Sequence, residues 1–535
     1  MWQENWREML PAALLRRDWD IVVIGGGITG AGILLEAARR GLKALLVEQR
    51  DFAWGTSSRS SKLVHGGLRY IKEGKLMLTR DSVRERQNLL KEAAGLVDVQ
   101  SFAFADYEGR KPGRHLFSAG LALYDLMAGT RSRHYHAPDD FLMLAPHIRQ
   151  QELNGGLCYQ DAKTDDARLV LRILQEASEA GGIAVNYMAA RQVLRKEGIA
   201  CGVELFDEVA GVSYAVNAKL VINATGAWAG RLRQDSDAKH KLRPLRGSHL
   251  LLPAWRLPVA QAVSLMHPRD GRPVFMFPWE GVTLVGTTDV DHAADLQKEA
   301  AITPEEVAYL MEAIAFQFPR LDIRLDDIVA TYAGVRPVID TGKADPSKEG
   351  RDHAVWLENG LLTVTGGKLT TFRLIALDAL KHAATALPGW NADLRPKPIF
   401  SPQAPLKACV PLTHLQRQRL QGRYGRHAQA LLAAASKGET DSIAGTETLW
   451  AELRWAARNE AVVRLEDLLL RRTRLGLQLR NGGADLLPRV RAICQPELGW
   501  DDERWTAEQD AYLALWQRNY SVPRSQVVPQ WQAQH

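Results

Sequence analysis

Residues 18–48 read DWDIVVIGGGITGAGILLEAARRGLKALLVE, and this stretch decides the fold. Ile21, Val22, Val23 and Ile24 form an apolar β-forming run without polar alternation, the pattern of a buried parallel strand. Gly25, Gly27 and Gly30 follow in G-x-G-x-x-G spacing. The first permits a tight turn, the second lets a pyrophosphate approach the backbone, and the third lets helix and strand pack closely. Residues 28–40 are good helix formers whose first N–H groups would face the phosphates. Gly41 ends that helix. A second strand over 43–47 delivers Glu48, about 20 residues beyond the glycines, where a ribose hydroxyl needs an acceptor. Strand, glycines, helix, strand and terminal acid in register predict a dinucleotide-binding unit.

The whole chain bounds what surrounds that unit. At 535 residues it is too long for a single core, so two or three domains are expected. An apolar fraction of 46% is ordinary for a soluble globular protein. The net charge of +6 is mild, and without a long Lys/Arg run it gives no reason to expect nucleic acid. Cys158, Cys201, Cys409 and Cys494 are scattered without metal spacing, as free thiols in a reducing compartment would be. His134 and His136 lack a third ligand at supportive spacing, so no metal is expected and residues 131–148 read as a solvated loop.

No stretch approaches the ~20 apolar residues of a transmembrane helix, and residues 1–17 lack a signal-peptide core. Trp2, Trp6, Met9 and Leu10 there have helical spacing, ahead of Arg16 and Arg17. They suit either an interfacial membrane anchor or a short helix packed on its own domain.

Whether the fingerprint holds NAD or FAD turns on later segments. Residues 55–70, GTSSRSSKLVHGGLRY, offer hydroxyls from Thr56 and the four serines Ser57, Ser58, Ser60 and Ser61, and the ammonium of Lys62, to phosphate or ribose oxygens. Gly66 and Gly67 allow the backbone close to a planar ring, and Arg69 supplies a fixed charge for a phosphate or carboxylate. Residues 218–230, AKLVINATGAWAG, end a buried strand in Ala224-Thr225-Gly226. As a second anchor behind an N-terminal dinucleotide unit, this favours FAD. Residues 361–380, LLTVTGGKLTTFRLIALDAL, end a third strand in Gly366-Gly367-Lys368 and begin a helix near Thr370. Between these anchors, RPLRGSHLLLP, PVFMFPW and VTLVGTTDVD suit an antiparallel sheet. His249 within GSH is open to either a structural or a site role, and 286–289 reads as a turn that shapes the site. Helices are expected over 75–95, 304–318, 428–436, 447–472 and 506–520.

The glycine fingerprint, TSSRSSKLVHGGLRY and the later blocks, including GVRP around Arg336 and DLLLRRTRLGL over 467–477, resemble the FAD-dependent (aerobic, respiratory) glycerol-3-phosphate dehydrogenases. The resemblance covers about residues 18–390, more loosely the C-terminal region. It implies an α/β plus α+β fold. This has an FAD-binding Rossmann-like domain of glutathione-reductase/D-amino-acid-oxidase type, an antiparallel substrate sheet and a C-terminal helical domain. The expected division is an extension at 1–17, FAD-binding parts at 18–95, 155–240 and 345–395, and a cap or substrate segment at 96–154. The substrate sheet takes 241–344, and a proline-rich linker with the helical domain takes 396–535.

The implied reaction oxidises sn-glycerol 3-phosphate to dihydroxyacetone phosphate by hydride transfer to FAD, with electrons passed to a membrane quinone. Arg336 is implied at the reacting oxygen or the adjacent hydroxyl, and His249, then His65, as the base, imidazole being near-neutral in pKa. Arg69, Tyr70, Lys368 and Arg351 are implied at the substrate. Gly25, Gly27, Gly30, Glu48, Thr56, Ser57, Ser58, Lys62, Leu63, Gly226, Gly366, Gly367 and Thr370 are implied around FAD. The family also implies a cytoplasmic protein, peripheral on the inner face of the membrane, and a homodimer. Arg471, Arg472 and Arg474 are candidates for anionic lipid, a partner subunit or only water. An oxygen-using glycerol-3-phosphate oxidase, or a flavoprotein for another small alcohol or amine, carries the same motifs. A non-catalytic scaffold would not need the substrate arginines.

Overall fold

The run at residues 21–24 lacks alternation because both its faces are covered. In this computed structural model, the strand Trp19–Ile24 lies between two parallel neighbours, with Val23 opposite Leu46 of Ala44–Val47 and Ile222 of Val212–Asn223. Ile21 and Val23 pack with the helices Ile28–Ala38, Asp166–Glu179 and Phe372–Ala383, while Val22 and Ile24 face Leu10, Leu14 and an antiparallel extension. The structure describes residues 2, 5–15, 18–72, 74–110, 113–232, 241–340, 342, 350, 352–407 and 411–531, without the side chains of Arg69 and Lys72.

Parallel pairing continues to Leu361–Gly366 on one side and Ile183–Val185 on the other, and His353–Glu358 closes an edge antiparallel. With Met188–Lys196 and Ile199–Asp207 as the extension, this sheet has eight strands among the described residues. Helix Ile28–Ala38 is buried continuously from Gly30 to Ala38, an all-round burial expected only of a helix packed inside a core. A Cβ at position 30 would lie 1.9 Å from the Gly25 carbonyl oxygen, so only glycine allows this helix to sit so close to its strand.

The second sheet, of ten strands among the described residues, is antiparallel except where Ala262–Met266 runs parallel to Val97–Tyr107. Leu250 and Leu252 of Leu242–Pro253 face helix Pro304–Gln317, and Leu251 between them faces the C-terminal helices, the two-residue alternation of a strand covered by different layers. Leu153–Thr164 crosses the boundary expected at 154/155 and pairs with Val97–Tyr107 along its length. Residues 131–148 are more ordered than the expected loop. His134–His136 pairs with Leu153–Thr164 and Pro138–Leu144 is helical, because Phe141 and Ile148 find apolar cover. Among the described residues no His/Cys/Asp/Glu group is arranged to hold a metal.

The C-terminal region is helical, but 447–472 is not one helix. Trp450–Asn459 ends where Ala461 takes φ 50°, and a π-helical turn, Asp467–Arg472, follows. Buried charge sets this break. Arg472 Nε donates back to the Glu460 carbonyl at 2.9 Å, and the Asp467 carboxylate accepts the N–H groups of Val463 and Arg464. Arg471, Arg472 and Arg474 are not the surface cations that lipid, a partner or bulk solvent would need, being at most 1% exposed in their side chains. Arg471 and Arg472 converge on Asp51 at 2.6 Å, and Arg474 pairs with Asp165 and Asp166. These pairs rivet the C-terminal helices to the first sheet's domain.

The N-terminus packs on its own domain. Trp2, Leu10 and Leu14 are buried, Trp2 Nε1 donates to the Ala184 carbonyl at 2.9 Å, and Arg7 donates to Asn186. Among the described residues no helix is long and apolar enough to cross a membrane.

Candidate active site

The strands Trp19–Ile24, Val212–Asn223 and Leu361–Gly366 run parallel, so the glycines after or at their carboxyl ends arrive together. Gly25, Gly226 and Gly367 line one cleft of about 1820 Å³, at the sheet edge where open α/β folds bind ligands. Gly27 caps helix Ile28–Ala38 there, turning the helix's unpaired N–H groups and positive dipole end to the cleft. Glu48 stands at the tip of the next strand. Its Oε2 accepts the Gly26 N–H at 2.7 Å and its Oε1 the Arg50 N–H at 2.9 Å, leaving lone pairs for a further donor. Enclosure pushes its pKa up, against the pull of those two N–H groups. A helix terminus, a fixed carboxylate and a third strand end in one long cleft fit FAD.

The segment 55–65 divides between cleft and core. Thr56, Ser57, Leu63 and His65 line the cleft, and Ser57 Oγ accepts the Ile28 N–H at 2.9 Å. Ser58 and Lys62 stand behind the wall. Lys62 Nζ is fully buried and donates to Asp166 and to the Ser58 carbonyl, both at 2.9 Å. Burial and Arg474 lower its pKa to about 8 against the pull of Asp166. Lys62 therefore braces the loop from inside instead of presenting its ammonium to the cofactor's wall. Gly66 makes room for the protein's own Tyr124, whose hydroxyl would lie 2.4 Å from a Cβ there. Gly30 likewise serves packing, while Gly366 and Thr370 line the cleft.

Beyond the glycines, Tyr70, His249, Arg336 and Lys368 line the same cleft. Lys368 Nζ lies 4.4 Å from the Tyr70 ring centroid and donates to Ser82 Oγ at 2.6 Å. Arg336 donates to the Thr288 carbonyl at 3.2 Å and lies 3.7 Å from Asp289 Oδ1. His249 stacks on Tyr332 with centroids 4.5 Å apart, and its Nε2 is 3.0 Å from Ser61 Oγ. Burial first, then Lys62 and Arg336, push its pKa well below the ordinary histidine value, so it is not the near-neutral imidazole expected from the sequence. Arg351 and the Arg69 side chain lie outside the described residues.

The cleft also has an aromatic lining that sequence reading missed. Phe102, Phe104, Phe117 and Phe275 wall it, with Phe104 and Phe117 stacked at 4.3 Å. The spacing of Phe102 and Phe104 signals a shared strand face, but nothing local says that the face borders a cleft. Ser61 and Asp289 were also missed as groups beside His249 and Arg336. Ser61 is one serine among four in its loop, and Asp289 reads as a turn residue.

The sequence matches the family described as FAD dependent oxidoreductase over residues 20–373, and the C-terminal domain of alpha-glycerophosphate oxidase over 401–505. It is 33% identical over 494 residues to the aerobic glycerol-3-phosphate dehydrogenase of Staphylococcus haemolyticus (strain JCSC1435), covering 87% of this chain and 88% of the relative. The Staphylococcus epidermidis protein of the same name (strain ATCC 35984) is 37% identical over 389 residues, covering 71% and 70%. The glycerol-3-phosphate dehydrogenase from Bacillus halodurans complexed with FAD is similar with a TM-score of 0.74 at 26% identity, over 96% of this chain and 98% of that one. The L-alpha-glycerophosphate oxidase from Mycoplasma pneumoniae with FAD bound shares the fold, at a TM-score of 0.55 and 17% identity over 71% and 97%. By its fingerprint, its cleft and these matches, the chain belongs to the FAD-dependent oxidoreductases and, within them, to the aerobic glycerol-3-phosphate dehydrogenase family.

Proposed function

We propose that this enzyme oxidises sn-glycerol 3-phosphate at C2 to dihydroxyacetone phosphate and delivers the electrons to a membrane quinone. The observation that carries the substrate is that Lys368 and Arg336, among the cations lining the cleft, share it with His249. A phosphate dianion in an enclosed site needs fixed positive charge and donors. Lys368 and Tyr70 meet that need at the phosphate end. Arg336 serves the C2 oxygen, whose negative character grows as hydride leaves. His249 takes the hydroxyl proton, with His65 the second candidate. FAD, when bound, supplies the two-electron acceptor for the hydride. Stopped-flow flavin reduction tests the reading: sn-glycerol 3-phosphate is expected to bleach the flavin, and glycerol to do so poorly. Reduction by an amino acid or unphosphorylated alcohol, with none by the phosphate, overturns it.

Two variants separate the roles. Lys368→Ala loses a charge-assisted contact worth about 1.5–3 kcal/mol, so KM is expected to rise roughly 10- to 100-fold with kcat less affected. Unchanged KM in steady-state assays counts against the assignment. For His249, a lowered pKa means that the base stays unprotonated, and competent, as pH falls through the ordinary 6.5. The limiting rate of flavin reduction is expected to hold through that pH and decline only further down, with His249→Ala removing the decline. A wild-type limb at or above 6.5 that His249→Ala abolishes contradicts this environment.

The aromatic lining supports a lipid-soluble acceptor. Helix Arg114–Ala128 puts Leu116, Ala119, Gly120 and Leu123 on the cleft, and Leu116 and Leu126 are 71% and 78% exposed. Arg114 and Arg131 stand near its two ends in the chain, cations suited to an anionic lipid surface. The oxygen-using alternative draws on the C-terminal match to an alpha-glycerophosphate oxidase domain. Turnover with a soluble quinone, measured against turnover with oxygen alone, decides between the acceptors.

A further inference from the structure

We propose that Glu306 is a positioning residue for the reacting end of the cleft, its carboxylate holding Arg336 and His249 in register with each other. The inference rests on the roles given above to those two residues. Helix Pro304–Gln317 opens with a capping box, in which the Thr303 N–H donates to Glu306 Oε2 at 3.0 Å and the Glu306 N–H donates to Thr303 Oγ1 at 3.4 Å. That box occupies one carboxylate oxygen. The other, Oε1, accepts two hydroxyls from different segments: Ser248 Oγ at 2.9 Å and Thr288 Oγ1 at 2.6 Å. Arg246 adds an ion pair to Oε2 at 3.0 Å. Glu306 is only 5% exposed, so these contacts act with little competition from solvent.

Both hydroxyl-bearing residues abut the reacting groups. Ser248 immediately precedes His249 on Leu242–Pro253, and its N–H donates to Thr288 Oγ1 at 2.9 Å, closing a triangle with the carboxylate. The Thr288 carbonyl accepts from Arg336, and the next residue, Asp289, flanks the same guanidinium. The turn at 286–289 also packs directly on the imidazole, since a Cβ at Gly286 would lie 2.2 Å from His249 Cδ2. Glu306 thus ties the strand that carries the base to the turn that aims the cation, from behind the wall of the cleft. Capping alone requires neither hydroxyl.

The test is a double-mutant cycle on flavin-loaded protein, read as the limiting rate of flavin reduction by sn-glycerol 3-phosphate. Glu306→Ala is expected to slow that rate roughly 10- to 100-fold, as a small misplacement of reacting groups does. Arg336→Ala is expected to slow it as well, and the double variant to fall well short of the product of the two losses, because both remove one aligned arrangement. Glu306→Gln keeps an oxygen for Ser248 and Thr288 but turns an NH2 group toward the Thr303 N–H and Arg246, and is expected to recover part of the rate that Glu306→Ala loses. Thr288→Val, which cuts the link while keeping the side-chain shape, gives the same reading if Glu306→Ala accumulates poorly. Multiplicative losses, or a lowered melting temperature with an unchanged limiting rate, overturn the proposal. If Arg336→Ala alone leaves the rate intact, the role of Arg336 fails and this inference falls with it.

Discussion

Replacing Arg336 with alanine is expected to lower kcat and kcat/KM for sn-glycerol 3-phosphate together, by roughly 100- to 1000-fold. The size follows from the role proposed for the guanidinium. Negative charge on the C2 oxygen is small in the bound alcohol and largest as hydride departs, so a cation placed there strengthens the transition state more than the ground state. Arg336 donates to the Thr288 carbonyl, lies 3.7 Å from Asp289 and pairs in the strand register with Leu245, contacts that would hold it for the proposed role. Arg336→Lys keeps the charge but loses the planar fork, and is expected to recover only part of the rate. A rise in KM with unchanged kcat would move Arg336 to the phosphate end.

Asp51→Ala is expected to be the most damaging single change to the fold, destabilising by about 3–5 kcal/mol because it leaves the buried Arg472 guanidinium without its carboxylate and leaves Arg471 only Asp467 and Glu466. Asp51 accepts from Arg471, both terminal nitrogens of Arg472, and Asn186, and its carboxylate is wholly buried. Burial alone would raise its pKa, but Arg472 and Arg471 overcome that and hold it at about 2. The folded value lies below the unfolded one of about 3.9, so this contribution is complete above pH 4 and is lost as pH falls toward 2. Urea titration of wild type and Asp51→Ala, followed by tryptophan fluorescence, checks both points. Coincident unfolding midpoints at neutral pH would sink the assignment.

The fold was legible where neighbouring residues carry the signal. The strand–glycine–helix–strand order of 18–48 is local, and each later glycine anchor ends its own β run, so the meeting of three strand ends followed from their shared architecture. Long-range charge pairing was not legible. A lysine among serines reads as a ligand donor, and Lys62 becomes a buried counter-ion only through Asp166, 104 positions later. Arg471 and Arg472 read as surface cations until Asp51, 420 and 421 positions away, meets them. The same pairing breaks 447–472 at Ala461, since helical periodicity says nothing about a hook from Arg472 to the Glu460 carbonyl. At the cleft, residue types named candidate groups, but the displaced pKa of His249 depends first on its burial and then on Lys62 and Arg336 beside it in space.

The order of strands in the first sheet also bears on how the chain is born. Trp19–Ile24 finds Ala44–Val47 early, but its other edge waits for Val212–Asn223, which in turn waits for Leu361–Gly366. At ~5–20 residues per second, roughly 20–70 s separate synthesis of the first strand from that of the last. Throughout that interval an apolar strand has an open hydrogen-bonding edge, the kind that recruits other chains. Protecting that half-built nascent sheet is therefore expected to raise the yield of folded enzyme, and slower translation lengthens the exposure.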